Sequence, residues 1–148
     1  MTKTKTSLFL GRFQPFHNGH LSVVKYASKK YKKVIIAICS AQIHHTEKNP
    51  FTVWERHDMI SLSLSEEKLN NIEIVAVPDL KNPQAWSKFI KVVCTDFDTI
   101  LTNNDNTKEL MQSVGVEIDT PPKTNNNLSA TLIRKLLKES KDISEYVP

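Results

Sequence analysis

His17 and His20 stand three residues apart with a glycine between them, in the run Gly11-Arg12-Phe13-Gln14-Pro15-Phe16-His17-Asn18-Gly19-His20. Imidazoles at that spacing project to one side of a helix start and can donate hydrogen bonds to a single phosphate. Arg12, just upstream, offers a guanidinium suited to bidentate contact with phosphate oxygens. Leu8-Phe9-Leu10 ahead of the run reads as a buried strand, while Leu21, Val23, Val24 and Ala27 after it recur at helical spacing. The expected result is a strand, a turn and a helix N-terminus, whose unpaired N–H groups and partial positive charge favour an anion. In this reading Gly11 lets the chain turn and a ligand approach the backbone, and Gly19 keeps the histidine face open. A single histidine is more often a cap and a single glycine a turn, so the ordered combination carries the reading.

A second anion site is expected further on. Ser129 reads as an N-cap, Thr131 falls in the first helical turn and Arg134 lies one turn on. The competing reading of that stretch is an ordinary capped helix with Leu132, Ile133, Leu136 and Leu137 in the core. Thr52-x-x-Glu55 spells a capping box ahead of an apolar-periodic stretch, with Arg56 in the first turns of that helix. Trp86 presents the largest aromatic face for stacking on a flat ring, with partial burial in the core as its alternative. His44 and His45 adjoin each other but lack a third ligand at suitable spacing, so no protein-held metal is expected.

These groups must be held by a scaffold, and the chain alternates regularly. Strands are expected over 7–10, 34–39, 72–77, 99–102 and 116–118, and helices over 18–31, 52–68, 84–94, 105–114 and 130–139. Such alternation predicts an α/β fold, a doubly wound parallel sheet of about five strands with helices on both faces. Ligands of such sheets bind beyond the carboxyl ends of the strands where strand order reverses, which places Gly11 to His20 in the site. The polar run Thr124-Asn125-Asn126-Asn127 reads as a loop.

The 148 residues suit one domain, taken as 1–148, and 39% hydrophobic with 24% charged is an ordinary globular balance. No apolar run is long enough to span a membrane and the start lacks the apolar core of a signal peptide, so a cytoplasmic protein is expected. Cys39 and Cys94 sit in apolar segments and are expected as buried free thiols. The net charge of +4 fits polyanionic nucleotides, and fits RNA or DNA equally.

His17-x-Gly19-His20 after a first strand resembles the signature of the Rossmann-like nucleotidyltransferase superfamily. The longer string from Gly11 to His20 resembles its archaeal-type nicotinamide-nucleotide adenylyltransferases. The resemblance extends through Ser40-Ala41-Gln42, His45-Thr46, Asn49-Pro50-Phe51-Thr52, Glu55-Arg56, Met59-Ile60, Val77-Pro78-Asp79, Trp86, Thr102-Asn103-Asn104, Pro121-Pro122 and Ser129-x-Thr131-x-Ile133-Arg134. It departs at Ala130, where the family usually has glycine, at Leu132, where it has an acid, and at Asn82, one place from its counterpart.

The resemblance implies in-line attack of the 5′-phosphate of nicotinamide mononucleotide (NMN) on the α-phosphorus of ATP, giving NAD and pyrophosphate without a covalent intermediate. His17, His20 and Arg134 are then the catalytic residues. Gly11, Arg12, Phe13, Gly19, Ser129 and Thr131 join them in binding ATP. Arg12, Ser40, Arg56, Asn82 and Trp86 take the acceptor nucleotide, with Trp86 stacked on the nicotinamide and Arg56 at the acceptor phosphate. A magnesium ion is expected, bound mainly through the ATP phosphates, as is a homo-oligomer, with no membrane or nucleic-acid partner. Two other readings stay open: another acceptor, such as nicotinic acid mononucleotide, phosphopantetheine or a flavin nucleotide, or a nucleic-acid-binding module on the same scaffold.

Overall fold

The structure is a computed structural model that describes residues 4–94, 96–122 and 128–148. Strands β1 (Thr6–Gly11), β2 (Lys33–Ile38), β3 (Ile72–Ala76), β4 (Thr99–Leu101) and β5 (Glu117–Asp119) form one sheet. They alternate with helices α1 (Asn18–Lys30), α2 (Val53–Glu66), α3 (Pro83–Val93), α4 (Asp105–Gln112) and α5 (Ala130–Lys138). Every expected element is present, with ends moved by one or two residues. The largest relative shift is in β5, where Val116 leads into the strand rather than beginning it. The expected loop Thr124 to Asn127 lies outside the described residues.

All strand pairs are parallel, in the order β3-β2-β1-β4-β5. Order therefore reverses between β1 and β4, and the loop after β1 opens at that switch point. Interior strand β2 is buried on both sides, as a parallel strand covered by two helical layers must be. Val34, Ile36 and Ile38 join Phe9, α1 and α2 in one core. Ile35 and Ala37 join Leu8, α3 and α4 in the other, so alternate residues of each strand serve opposite faces.

Asp119 ties α1 to the end of β5, accepting hydrogen bonds from Tyr26, Tyr31 and Lys30. Burial pushes its carboxyl up, but these three donors outweigh it and hold the pKa below its ordinary value. Cys39 and Cys94 are free thiols, which burial pushes up to about 12 and about 11 respectively, leaving both protonated. Among the described residues no helix is long and apolar enough to cross a membrane.

Candidate active site

Gly11 ends β1 without a left-handed backbone; the turn is made by Phe13, at φ 53°. A Cβ on Gly11 would lie 2.7 Å from Cζ of Phe13, so the missing side chain makes room for that ring. The turn expected at Gly11 is thus made two residues later, and the glycine has a packing role. Phe13 itself is 2% exposed and packs edge-on against Phe9 and His20 at centroid distances of 5.4 and 4.8 Å. Its side chain is thus a wall behind His20. Phe16 stacks against His20 at 5.5 Å, and His17 stacks on it at 3.6 Å.

The two histidines cap α1 reciprocally. Nδ1 of His17 accepts from the N–H groups of Gly19 and His20, and Nδ1 of His20 accepts from the N–H of His17. A neutral imidazole that accepts through Nδ1 carries its proton on Nε2, so both rings keep an Nε2–H donor free of the cap. A Cβ on Gly19 would meet Cε1 of His17 at 2.9 Å, so this glycine permits the cap itself. The N–H of Asn18 goes to the carbonyl of Tyr146. The first N–H groups of α1 are therefore already used, which corrects the expectation that they bind phosphate. The imidazoles offer donors instead, aided by the helix dipole.

Burial pushes His17 down to about 4, and burial with the charge of His17 pushes His20 well below the ordinary 6.5. Both rings are neutral at pH 7. Below pH 6.5 the unfolded chain takes up protons that the folded chain refuses, so this contribution to stability is complete above 6.5 and is lost as pH falls. Denaturant unfolding is expected to lose up to about 1.4 kcal/mol per pH unit per histidine between pH 6.5 and 5. Paired carboxylates such as Asp119 remain ionised over that window. A flat profile there would contradict neutral, buried imidazoles.

Arg56 departs furthest from expectation. It is fully buried and spends its guanidinium on main-chain carbonyls: Nε on Thr52, Nη1 on Arg12 and Cys39 at 3.0 and 2.9 Å, and Nη2 on Ser40, Ala41 and Ile43. The capping box of Thr52 and Glu55 that starts its helix is present as expected. Arg56 thus binds the loop after β1 to the loop after β2 from beneath. Its donors are committed, which corrects its placement at an acceptor phosphate.

Arg134 projects from α5, which is capped by Ser129 through the N–H of Leu132. Nη1 donates to the carbonyl of Gln14 at 2.9 Å and Nη2 to the hydroxyl of Thr131 at 3.2 Å. Burial first, and then the charge of Arg12, lower the Arg134 pKa, a repulsion that an anion between the two would relieve. Arg12, Thr131 and Arg134 line a cleft of about 1130 Å³ together with Thr46, Lys48, Phe51, Lys135 and Lys138. Its one acid, Glu47, pairs with Lys138 at 3.0 Å. Among the described residues Arg12, Lys48, Arg134 and Lys135 form no ion pair. Sequence reasoning missed the lysines. The stripe of Arg134 and Lys138, four apart on one helix face, was a signal for Lys138, but Lys48 sits in a loop with no periodicity to read.

The remaining expected residues lie outside the lining of that cleft. Ser40 is buried at φ 51° and its hydroxyl donates to Asp79 at 2.8 Å. Asn82 caps α3, its Oδ1 accepting from the N–H groups of Gln84 and Ala85. Trp86 is half-buried against the core formed by Leu8, Ile35 and Ile90. His17 and His20 likewise fall outside the lining, at the far end of the Gly11 to His20 segment whose Arg12 lines it. Among the described residues no three His, Cys, Asp or Glu side chains converge to hold a metal ion. The donor set is cationic, so a divalent ion fits this site only when carried in on phosphate oxygens.

The molecule combines a parallel sheet, paired Nε2–H imidazoles at its switch point and a cationic cleft lined by Arg12 of the same segment, and residues 8–136 match the cytidylyltransferase-like family. Within that class the chain belongs to the nicotinamide-nucleotide adenylyltransferases. It is 38% identical over 144 residues to the enzyme of that name from Thermococcus sibiricus, covering 95% of this chain and 77% of the relative. Among solved structures, the bifunctional NMN adenylyltransferase/ADP ribose pyrophosphatase from Francisella tularensis superposes with TM-score 0.86 at 26% identity. That match covers 97% of this chain and 44% of the larger protein. The same protein complexed with AMP and a manganese ion superposes with TM-score 0.83.

Proposed function

We infer that this chain transfers the adenylyl group of ATP to NMN, releasing NAD and pyrophosphate. A phosphate oxygen of NMN forms a bond to the α-phosphorus as the bond from that phosphorus to the β-bridging oxygen breaks, and pyrophosphate leaves with the electron pair. The acceptor is already an anion, so no side chain need act as nucleophile or base. Catalysis then rests on alignment and on stabilising charge at the transferring and leaving groups. The observation that carries this reading is the reciprocal histidine cap, which leaves two Nε2–H donors free of the helix they terminate.

In this mechanism Nε2–H of His20, with that of His17, donates to the α-phosphate oxygens. Arg134, Thr131 and the start of α5 take the β- and γ-phosphates, and Arg12 takes the phosphate of NMN. Among the described residues the N–H groups of Ala130 and Thr131 have no acceptor, which supports a phosphate role for this helix start. Ala130, a small residue where the family usually has glycine, leaves that backbone accessible. ATP enters as its magnesium complex, with the ion on phosphate oxygens. Family resemblance also carries the expectation of a homo-oligomer.

The assay is pyrophosphate release with ATP and, in turn, NMN, nicotinic acid mononucleotide, phosphopantetheine and flavin mononucleotide. NMN is expected to give the highest kcat/KM; preference for phosphopantetheine or the flavin would overturn the acceptor. Trp86→Ala is expected to raise the KM for NMN by about 3–10-fold, the value of a lost aromatic stack, with the KM for ATP unchanged. Equal losses for both substrates would assign Trp86 to packing alone.

A further inference from the structure

Gln14 is 1% exposed, yet both ends of its side-chain amide are engaged by the main chain of a single distant residue. Its Nε2 donates to the carbonyl of Phe51 at 3.0 Å, and its Oε1 accepts from the N–H of the same residue at 2.9 Å. Phe51's own donor and acceptor fix which end of the amide is which. The main-chain carbonyl of Gln14 meanwhile accepts from Nη1 of Arg134 at 2.9 Å. The Thr46–Phe51 loop and α5 both line the 1130 Å³ cleft, so one residue is the common anchor of two of its walls.

We propose that Gln14 is a positioning residue that sets the spacing of the anion cleft, clamping the Thr46–Phe51 loop through its side chain and Arg134 through its carbonyl. The choice of residue follows from the geometry. Only an amide supplies a donor and an acceptor side by side at the separation presented by the N–H and C=O of one residue. Glutamate lacks the donor, methionine lacks both, and asparagine is one methylene short. Without the clamp, Lys48 and Arg134 lose their common reference, and misplacement of charged groups by about 1 Å is enough to cost up to ~100-fold in rate. Gln14 is too deeply buried to touch substrate, so its effect passes through the loop and Arg134.

This inference rests on reading the cleft as the site of the ATP phosphates, and the test separates the two. Inorganic tripolyphosphate binding by calorimetry, thermal unfolding, and kcat and KM for each substrate are measured on wild-type protein and Gln14→Met. The variant is expected to bind tripolyphosphate about tenfold more weakly and to show a similarly raised KM for ATP, with the KM for NMN within about twofold. A residue with only a structural role would lower the melting point and the active fraction but leave both KM values and tripolyphosphate affinity in place, which would overturn the clamp. Wild-type protein that binds tripolyphosphate but forms no NAD would overturn the function, while the tripolyphosphate comparison would still decide the clamp. If Gln14→Met does not fold, Gln14→Asn is held to the same expectation.

Discussion

Replacement of His20 by alanine is expected to lower kcat by about 10²–10³-fold, the usual cost of removing one donor aimed at charge that develops in the transition state. The KM values should change far less, because the interaction strengthens as the α-phosphorus becomes five-coordinate. His20 also accepts the N–H of His17 and packs among Phe13, Phe16 and His17, so alanine alone confounds chemistry with helix capping. His20→Asn separates them. Its Oδ1 can still accept the N–H of His17, as an N-terminal side-chain acceptor should, but it places no donor where Nε2–H stands. The asparagine variant is expected to have a higher melting point than the alanine variant, because it keeps the cap, and to lose kcat as alanine does. Near wild-type turnover in either variant would remove His20 from the chemistry.

The largest effect on stability is expected from Arg56→Met. Methionine fills part of the volume but leaves the carbonyls of Thr52, Arg12, Cys39, Ser40, Ala41 and Ile43 without the donor they share. An unsatisfied buried acceptor costs about 1–3 kcal/mol, lessened where water enters. A net loss of about 3–5 kcal/mol is expected, or a melting point lower by roughly 10–15 °C. Arg56→Lys should recover less than half of it, because three donors on a single nitrogen cannot span the fork of a planar guanidinium. The competing role at an acceptor phosphate makes the opposite forecast: lysine would preserve the melting point and raise only the KM for NMN. Thermal unfolding of both variants beside their NMN kinetics decides between them.

Arg56 also shows where sequence reasoning stops. Its position in the first turns of a capped helix was readable from Thr52-x-x-Glu55, and both the cap and the helix are where that pattern put them. Nothing in the local pattern states whether its guanidinium faces solvent, ligand or core. That depends on the ends of β1 and β2, which come together only when the sheet forms. Lys48 was missed for the same reason: a loop lysine acquires meaning only from the cleft it borders. The glycines were recognised as necessary, and the structure shows which rings they make room for. Gly11 accommodates Phe13 and Gly19 accommodates His17, contacts made by a turn whose left-handed residue is a phenylalanine.

The sequence by itself determined the five strands, the five helices, their alternation and the location of the phosphate signature at the end of the first strand. Hydrophobic period and capping residues are local, and local interactions suffice to write them. Family likeness, carried by ordered short motifs, was equally legible. Only the tertiary structure decided the state and direction of the polar groups. It turned the histidines' Nδ1 atoms onto their own helix and left Nε2–H free. It sank Arg56 beneath the site as a tie between loops, and joined Gln14 to Phe51 and Arg134 across 37 and 120 residues of chain. The physical reason is that a hydrogen bond is made by whichever donor and acceptor the packed core leaves within 3 Å, and a one-dimensional pattern does not contain that distance.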